Sequence, residues 1–190
     1  LDHAPAEQPP SVAPALDEDD PDVDLIEELG LPRVDGPFAL SWPDGSPRAR
    51  GSVQGGAIDG LFERWYPNHQ LQERGRFERG LEAGEWRMWH PNGQPYEVIA
   101  FEGGKPHGAW RMHHDNGRLA EEMQWVAGEQ VGLQVDYDRE GRKVAEGRFE
   151  ASEPVGQWTC FDADGSLRSL PAPQDRSTPR EACAGERMPD

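Results

Sequence analysis

The sequence predicts an all-β chain: an elongated single-layer antiparallel meander of stacked β-hairpins, with a short N-terminal helix. Three observations predict it. First, a block of 24 residues recurs without insertion or deletion over 42–65, 66–89, 90–113, 114–137 and 138–161, with a partial copy running in from Gly36 and another running out through Gly165. Second, the copies share aromatic and glycine columns. Phe62, Trp86, Trp110, Gln134 and Trp158 form one column, and Val53, Phe77, Phe101, Trp125 and Phe149 another. Third, each block holds two Gly-bearing turns, which leaves no room for a helix pair but suits two strands. A fixed period of this length marks a repeat array, and arrays build surfaces more readily than pockets.

Taken in order, residues 1–21 are rich in Pro, Ala and acid, which predicts a disordered tether, because such a segment buries too little apolar surface to offset its ordering entropy. Residues 22–35 form an expected cap. Within them 22–30 reads as a helix, started by Pro21 and Asp22, given an apolar face by Leu25, Ile26 and Leu29, and stopped by Gly30. The array occupies 36–170. In the unit 66–89 a turn at Pro67-Asn68 leads into a strand over 72–78, and a turn at Arg79-Gly80 leads into a second strand over 85–89. This hairpin sets Phe77 opposite Trp86, Phe101 opposite Trp110 and Phe149 opposite Trp158. Whether Trp86 and Trp89, three residues apart, point to opposite faces or are brought together by a bulge stays open. Residues 171–190 read as a C-terminal tail.

The net charge of −17 is uneven. Residues 1–35 hold 11 acids and one Arg, residues 36–161 hold 19 acids and 14 bases, and residues 162–190 hold six acids and four bases. An acidic chain without a Lys/Arg run is a poor ligand for nucleic acid or for anionic lipid. The two cysteines, Cys160 and Cys183, belong to no C-x-x-C motif; either a disulfide tying the tail to the last repeat or two separate thiols fits their spacing. The chain begins at Leu1, and with the acidic tether this suggests an exported, periplasmic protein, the alternative being a cytoplasmic one.

The motif Pro91-Asn92-Gly93, Phe101, Gly104, Gly108, Trp110 and His113, repeated through five units, resembles the variant MORN repeat. The resemblance implies an elongated twisted sheet of stacked hairpins. It also implies binding of a partner protein, since similar bacterial proteins are often described as antitoxin- or immunity-type; other such arrays act as scaffolds or have been linked to phospholipids. The chain departs from the pattern at His69 and Ser152, which replace turn glycines, and at Gln134 and Asp136, which replace the Trp and Met of other units. The unit 114–137 therefore has the least typical second strand: a kink, a point of partner contact and neutral drift all fit it.

Catalytic and metal chemistry is not expected, and no cofactor is implied. His90 and His114 share a column two strands apart, ~10 Å between Cα atoms, with no third ligand in the column. Glu73, Glu97 and Glu121 form a column with the same spacing and read as outward-facing, solvated carboxylates. No nucleophile motif and no phosphate-binding Gly loop is present. The expected activity is protein binding by a monomer, with a toxin, effector or assembly partner as ligand, no nucleic acid, and membrane contact only through the tether. A scaffold or membrane-associated adaptor is the first alternative and an enzyme the second. Arg87 and Arg111 sit one residue past the Trp column and so face away from it. With Trp65, Trp89, His113 and Tyr137 they make the candidate contact stripe.

Overall fold

A computed structural model describes residues 25–164, 166–172 and 178–185. The tether, residues 22–24 of the expected first helix, and Gly165 lie outside the described residues. Fourteen strands form one sheet: β1 (Gly36–Ser41), β2 (Pro47–Gln54), β3 (Ala57–Ile58), β4 (Gly60–Trp65), β5 (Leu71–Glu78), β6 (Leu81–Trp89), β7 (Pro95–Glu102), β8 (Lys105–Pro106), β9 (Gly108–His113), β10 (Leu119–Val126), β11 (Glu129–Tyr137), β12 (Lys143–Glu150), β13 (Glu153–Phe161) and β14 (Leu167–Pro171). Strand order follows chain order, with the two-residue β3 and β8 pairing to β2 and β7 off the main path. Every pairing is antiparallel. Two short helices, α1 (Leu25–Leu29) and α2 (Pro179–Gly185), complete the described fold.

The register inside each hairpin differs from the simple one. Arg74 pairs with Arg87 and Arg76 with Ala83, so Gly84, Glu85 and Trp86 lie across from Gly75 alone. Gly84 takes φ +67°, and this positive φ lets β6 carry the bulge. Phe77 therefore pairs with Glu82, Phe101 with Pro106 and Phe149 with Pro154, rather than with the tryptophans. Trp86 is cross-strand partner to Ile99 of the next hairpin. The bulge nevertheless folds the Trp86 ring back over β5. A Cβ added at Gly75 would stand 2.0 Å from Trp86 Cδ2, and one at Gly147 2.4 Å from Trp158 Cε2. Phe77 meets Trp86 edge-on at 4.9 Å between centroids, Phe149 meets Trp158 at 5.5 Å, and Trp86 reaches Phe101 at 6.4 Å. The aromatic rail is thus built between hairpins as well as within them.

The apolar core lies along this one face and runs from α1 to Trp110 and Met123. Ile26 and Leu29 of α1 are 2% and 6% exposed, and they close the first end of the array as a cap. Near the far end α2 packs on β11, β12 and β13, where the sequence alone predicts only a tail. Cys160 and Cys183 form a disulfide, which fastens α2 to β13. Along the loop edge each unit bonds to the next. Asn68, Asn92 and Asn116 donate through Nδ2 to the carbonyls of Pro91, Asp115 and Arg139. Tyr66 Oη donates to Trp89 O at 2.9 Å. His90 and His114 donate through Nε2 to His113 O and Tyr137 O, at 2.9 and 3.0 Å. These histidines are inter-repeat struts.

The two replaced turn glycines keep the glycine conformation: His69 has φ +70° and Ser152 φ +63°. Each has a local bond that offsets the strain. His69 Nε2 lies 2.9 Å from Asp44 Oδ2, and Ser152 Oγ accepts from Gln130 N at 3.0 Å.

Candidate functional site: the arginine face

Alternation along each strand sends the core residues one way and a charged row the other. Arg50 pairs with Glu63, Glu63 with Arg74, and Arg74 with Arg87. The row continues through Val98 to Arg111, and then to Glu122 and Val135. Arg87 and Arg111 are both exposed and lie two strands apart. Trp86 and Trp110, one residue earlier, are 3% and 7% exposed on the opposite face.

The second aromatic column belongs to the arginine face. The Arg50 guanidinium stacks 5.2 Å over the Trp65 ring. Tyr137 Oη donates to Glu122 Oε1 at 2.8 Å, and burial together with that carboxylate pushes the phenol up to about 12. Trp89 and His113 hold the same column two residues beyond Arg87 and Arg111, so alternation places them on this face too. Trp86 and Trp89 therefore point to opposite faces, which answers the open question. All six candidate residues share one side of the sheet. Trp65, Trp89, His113 and Tyr137 are each half-buried, as rings lying along a sheet surface would be.

The charges of this face are not equivalent. Glu63 is 4% exposed and is held between Arg50, which it touches directly, and Arg74 at 3.6 Å. Arg87 pairs with Glu85 at 2.7 Å. Arg111 enters no ion pair among the described residues. It borders a groove of about 310 Å³ whose walls include Glu122, Gln124 and Leu133, with Val135 at its base. Leu133 is 39% exposed there and Val135 5%. An unpaired guanidinium beside an apolar floor is a frequent form of binding anchor.

On the other face the carboxylate column overturns the expectation. Glu97 is 0% exposed, and Glu73 and Glu121 are half-buried; none is a solvated outward group. Their parity explains this. Glu73, Gly75 and Phe77 alternate onto one face, as do Glu97, Ile99 and Phe101, so the carboxylates lie in line with the aromatic rail. Glu73 meets Arg64 at 2.7 Å, yet burial still pushes its carboxyl up.

The atypical unit 114–137 is explained by the chain's own C-terminal helix. Gln134, standing in the tryptophan column, is 2% exposed, and Asp136 is 0% exposed. Gln130 Nε2 donates to Gln134 Oε1 at 2.7 Å, and Gln134 Nε2 to Asp136 Oδ1 at 3.0 Å. Arg180 N donates to Asp136 Oδ2 at 2.7 Å, and the Arg180 guanidinium donates to Tyr137 O. Burial pushes Asp136 up, while Gln134 and Arg180 pull it back. The polar substitutions thus form a docking site for α2. The sequence reading missed this helix, although a signal was present. Thr178-Pro179-Arg180-Glu181 is a capping box with Pro at the first helical position: Thr178 N donates to Glu181 Oε2 at 2.8 Å and Glu181 N to Thr178 Oγ1 at 3.3 Å.

Among the described residues no group of three His, Cys, Asp or Glu is placed to hold a metal ion. No helix among them is long and apolar enough to cross a membrane.

Comparison with known proteins adds the repeat type. The family described as MORN repeat variant matches residues 83–102, from the β6 bulge to the end of β7. Residues 83–102 are thus similar to a MORN-type repeat, and they lie within the gapless 24-residue period of the array. No curated protein matches the chain. Among solved structures, S. aureus TarM in complex with Fondaparinux, alpha-GlcNAc-glycerol and UDP overlays at TM-score 0.29 with 12% identity, covering 75% of this chain and 23% of that one. Another TarM crystal structure overlays at TM-score 0.20 with 11% identity, covering 78% of this chain and 23% of that one. The chain thus spans under a quarter of the TarM chains, and overlays this loose carry no argument about function.

Proposed function

We propose that this chain is a non-enzymatic protein-binding module whose arginine face covers an acidic patch on a partner protein. The sharpest form of this reading is a bacterial immunity or antitoxin protein that occludes a toxin or effector. One observation carries it: Arg87, Arg111, Trp65, Trp89, His113 and Tyr137 lie on a single face away from the core, and Arg111, with no ion pair among the described residues, stands at the edge of a groove with an apolar floor. The face is one continuous hydrogen-bonded sheet, so a partner binding there has little backbone to order, which keeps the entropy cost of association low. The disulfide supports a site of action outside the cytoplasm, where thiols oxidise and stay paired. The module acts as a monomer.

The test is the double substitution Arg87→Glu with Arg111→Glu. Expected is loss of binding to the partner captured by pull-down, with the thermal melt unchanged, because exposed charges contribute little to stability. Unchanged affinity moves the binding surface off this face. Retained binding with no inhibition of the partner's activity favours a scaffold over an immunity protein.

A further inference from the structure

A single row of side chains crosses the core face, one residue per strand. Ala49 of β2 pairs with Arg64 of β4, Arg64 with Glu73, Glu73 with Met88 and Met88 with Glu97. From there Glu97 pairs with Met112, Met112 with Glu121, and Glu121 with Asp136. Four carboxyls therefore stand in line, and each end of the line has a cation. Arg64 sits 2.7 Å from Glu73 and 3.1 Å from Glu28 of α1. At the other end the backbone and guanidinium of Arg180 approach Asp136 and Tyr137.

Glu97, in the middle of the line, has no cation among the described groups that act on it. Glu97 faces Met88 of β6 on one side and Met112 of β9 on the other. It is 0% exposed, and among the described residues neither carboxyl oxygen has a well-formed hydrogen bond. The group that acts against its protonation is the Trp110 indole N–H, itself otherwise unsatisfied, and the charged group that acts on it is Glu121. Glu121 is acted on by Asp136 of β11 and by Arg180 and Glu181 of α2, two acids and one base. A buried carboxylate without a well-formed partner is strongly disfavoured, and a second, half-buried carboxylate in the same row adds repulsion.

We infer that Glu97 and Glu121 are a proton-operated switch in the middle of the array: it packs tightest while both carboxyls hold their protons, and loosens when both are charged. The energetics agree with the geometry. Burial pushes each carboxyl up to about 7. Because the folded value is raised above the ordinary 4.5, the folded state binds these protons more tightly than the unfolded chain does. The associated stability is fully present below about 4.5 and is lost as pH rises through about 7. Each carboxyl changes the folding equilibrium by on the order of 10²-fold across that window. β9 and β10 carry Arg111 and Glu122 on their reverse side, so loosening reaches both surfaces of the sheet.

The test is urea unfolding of the full chain at pH 5.5 and pH 8.5, for the parent and for Glu97→Gln with Glu121→Gln. Glutamine keeps the shape and does not titrate. Expected is a lower midpoint for the parent at pH 8.5, a double variant with most of that drop removed, and a variant midpoint above the parent's at pH 8.5. Glu150→Gln, at an exposed side chain, should leave the parent's pH dependence intact. A parent midpoint that is flat or rises with pH, or a double variant that keeps the parent's full drop, overturns the switch. Should the double variant not fold, carboxyl ¹³C titration of the parent decides: two glutamate midpoints near 7 support it, and all midpoints below 5.5 overturn it.

Discussion

Trp110 shows how a single residue holds a one-layer sheet together. Among the described residues no second sheet packs on this fold, so the core is only as thick as the rings that lie along one face. Trp110 is 7% exposed, and its ring sits 5.9 Å from that of Trp125 on the next strand. Trp110→Ala opens a hole that the neighbouring strands cannot close without breaking the bulge register. The expected loss is about 3–5 kcal/mol, read from the urea midpoint. A variant that unfolds with the parent would place the core elsewhere. The glycines beneath the rings belong to the same logic. A Cβ at Gly147 would meet Trp158, which is 0% exposed and has nowhere to move.

At the scale of elements, α2 is the part whose position depends most on a covalent tie. It is seven residues long, too short to be stable as a helix alone. Its place is set by the capping box at Thr178, by Arg180 on Asp136, and by the Cys160–Cys183 bond. The bond closes a loop with a sequence separation of 23. Reduction, or Cys183→Ser, should therefore lower stability by roughly 3 kcal/mol. It should also release the backbone amide of Arg180 from Asp136, leaving Asp136 and Gln134 with fewer partners. Hydrogen exchange checks this: the Arg180 amide should lose its protection in the reduced chain while the β6 and β7 amides keep theirs. Equal protection with and without the bond would mean that the capping box and Asp136 hold the helix by themselves.

For the whole molecule, the relevant property is that nearly every contact is between sequence neighbours. Each strand pairs with the strand before and the strand after on the main path, so the array behaves as a one-dimensional stack with two different ends. Deleting residues 90–113 removes one whole period and joins Trp89 to His114, a residue that occupies the same column as His90. β6 should then pair with β10 as it now pairs with β7. The expected product is folded, with an unchanged far-UV circular dichroism signal per residue, and shorter by two strand spacings, ~10 Å, in small-angle scattering. An unfolded or aggregated product would show that the units are not interchangeable and that the caps act through the full length.

How much of this was legible in the residues follows from what kind of information each feature needs. The gapless 24-residue period and the glycine columns determined an antiparallel meander, because a turn every dozen residues permits little else. Strand alternation alone determined that Arg87 and Arg111 point away from Trp86 and Trp110; that the second aromatic column shares their face was left open by the residues and was decided by the structure. Alternation also implied that Glu97 lies in line with Phe101, but its charge argued for solvent. Only the tertiary structure decided that contest, because Met88, Met112 and Trp110 arrive from neighbouring strands to cover it. The two-residue bulge was likewise undetermined, since a Gly-bearing turn does not say which of its residues join the strand. Gln134 and Asp136 read as lapses in a repeat until α2, brought back across 44 residues from Asp136 to Arg180, supplied their partner. Local pattern specifies what the chain does to itself within a hairpin; burial of a charge and docking of a distant helix depend on surfaces that exist only once the sheet has formed.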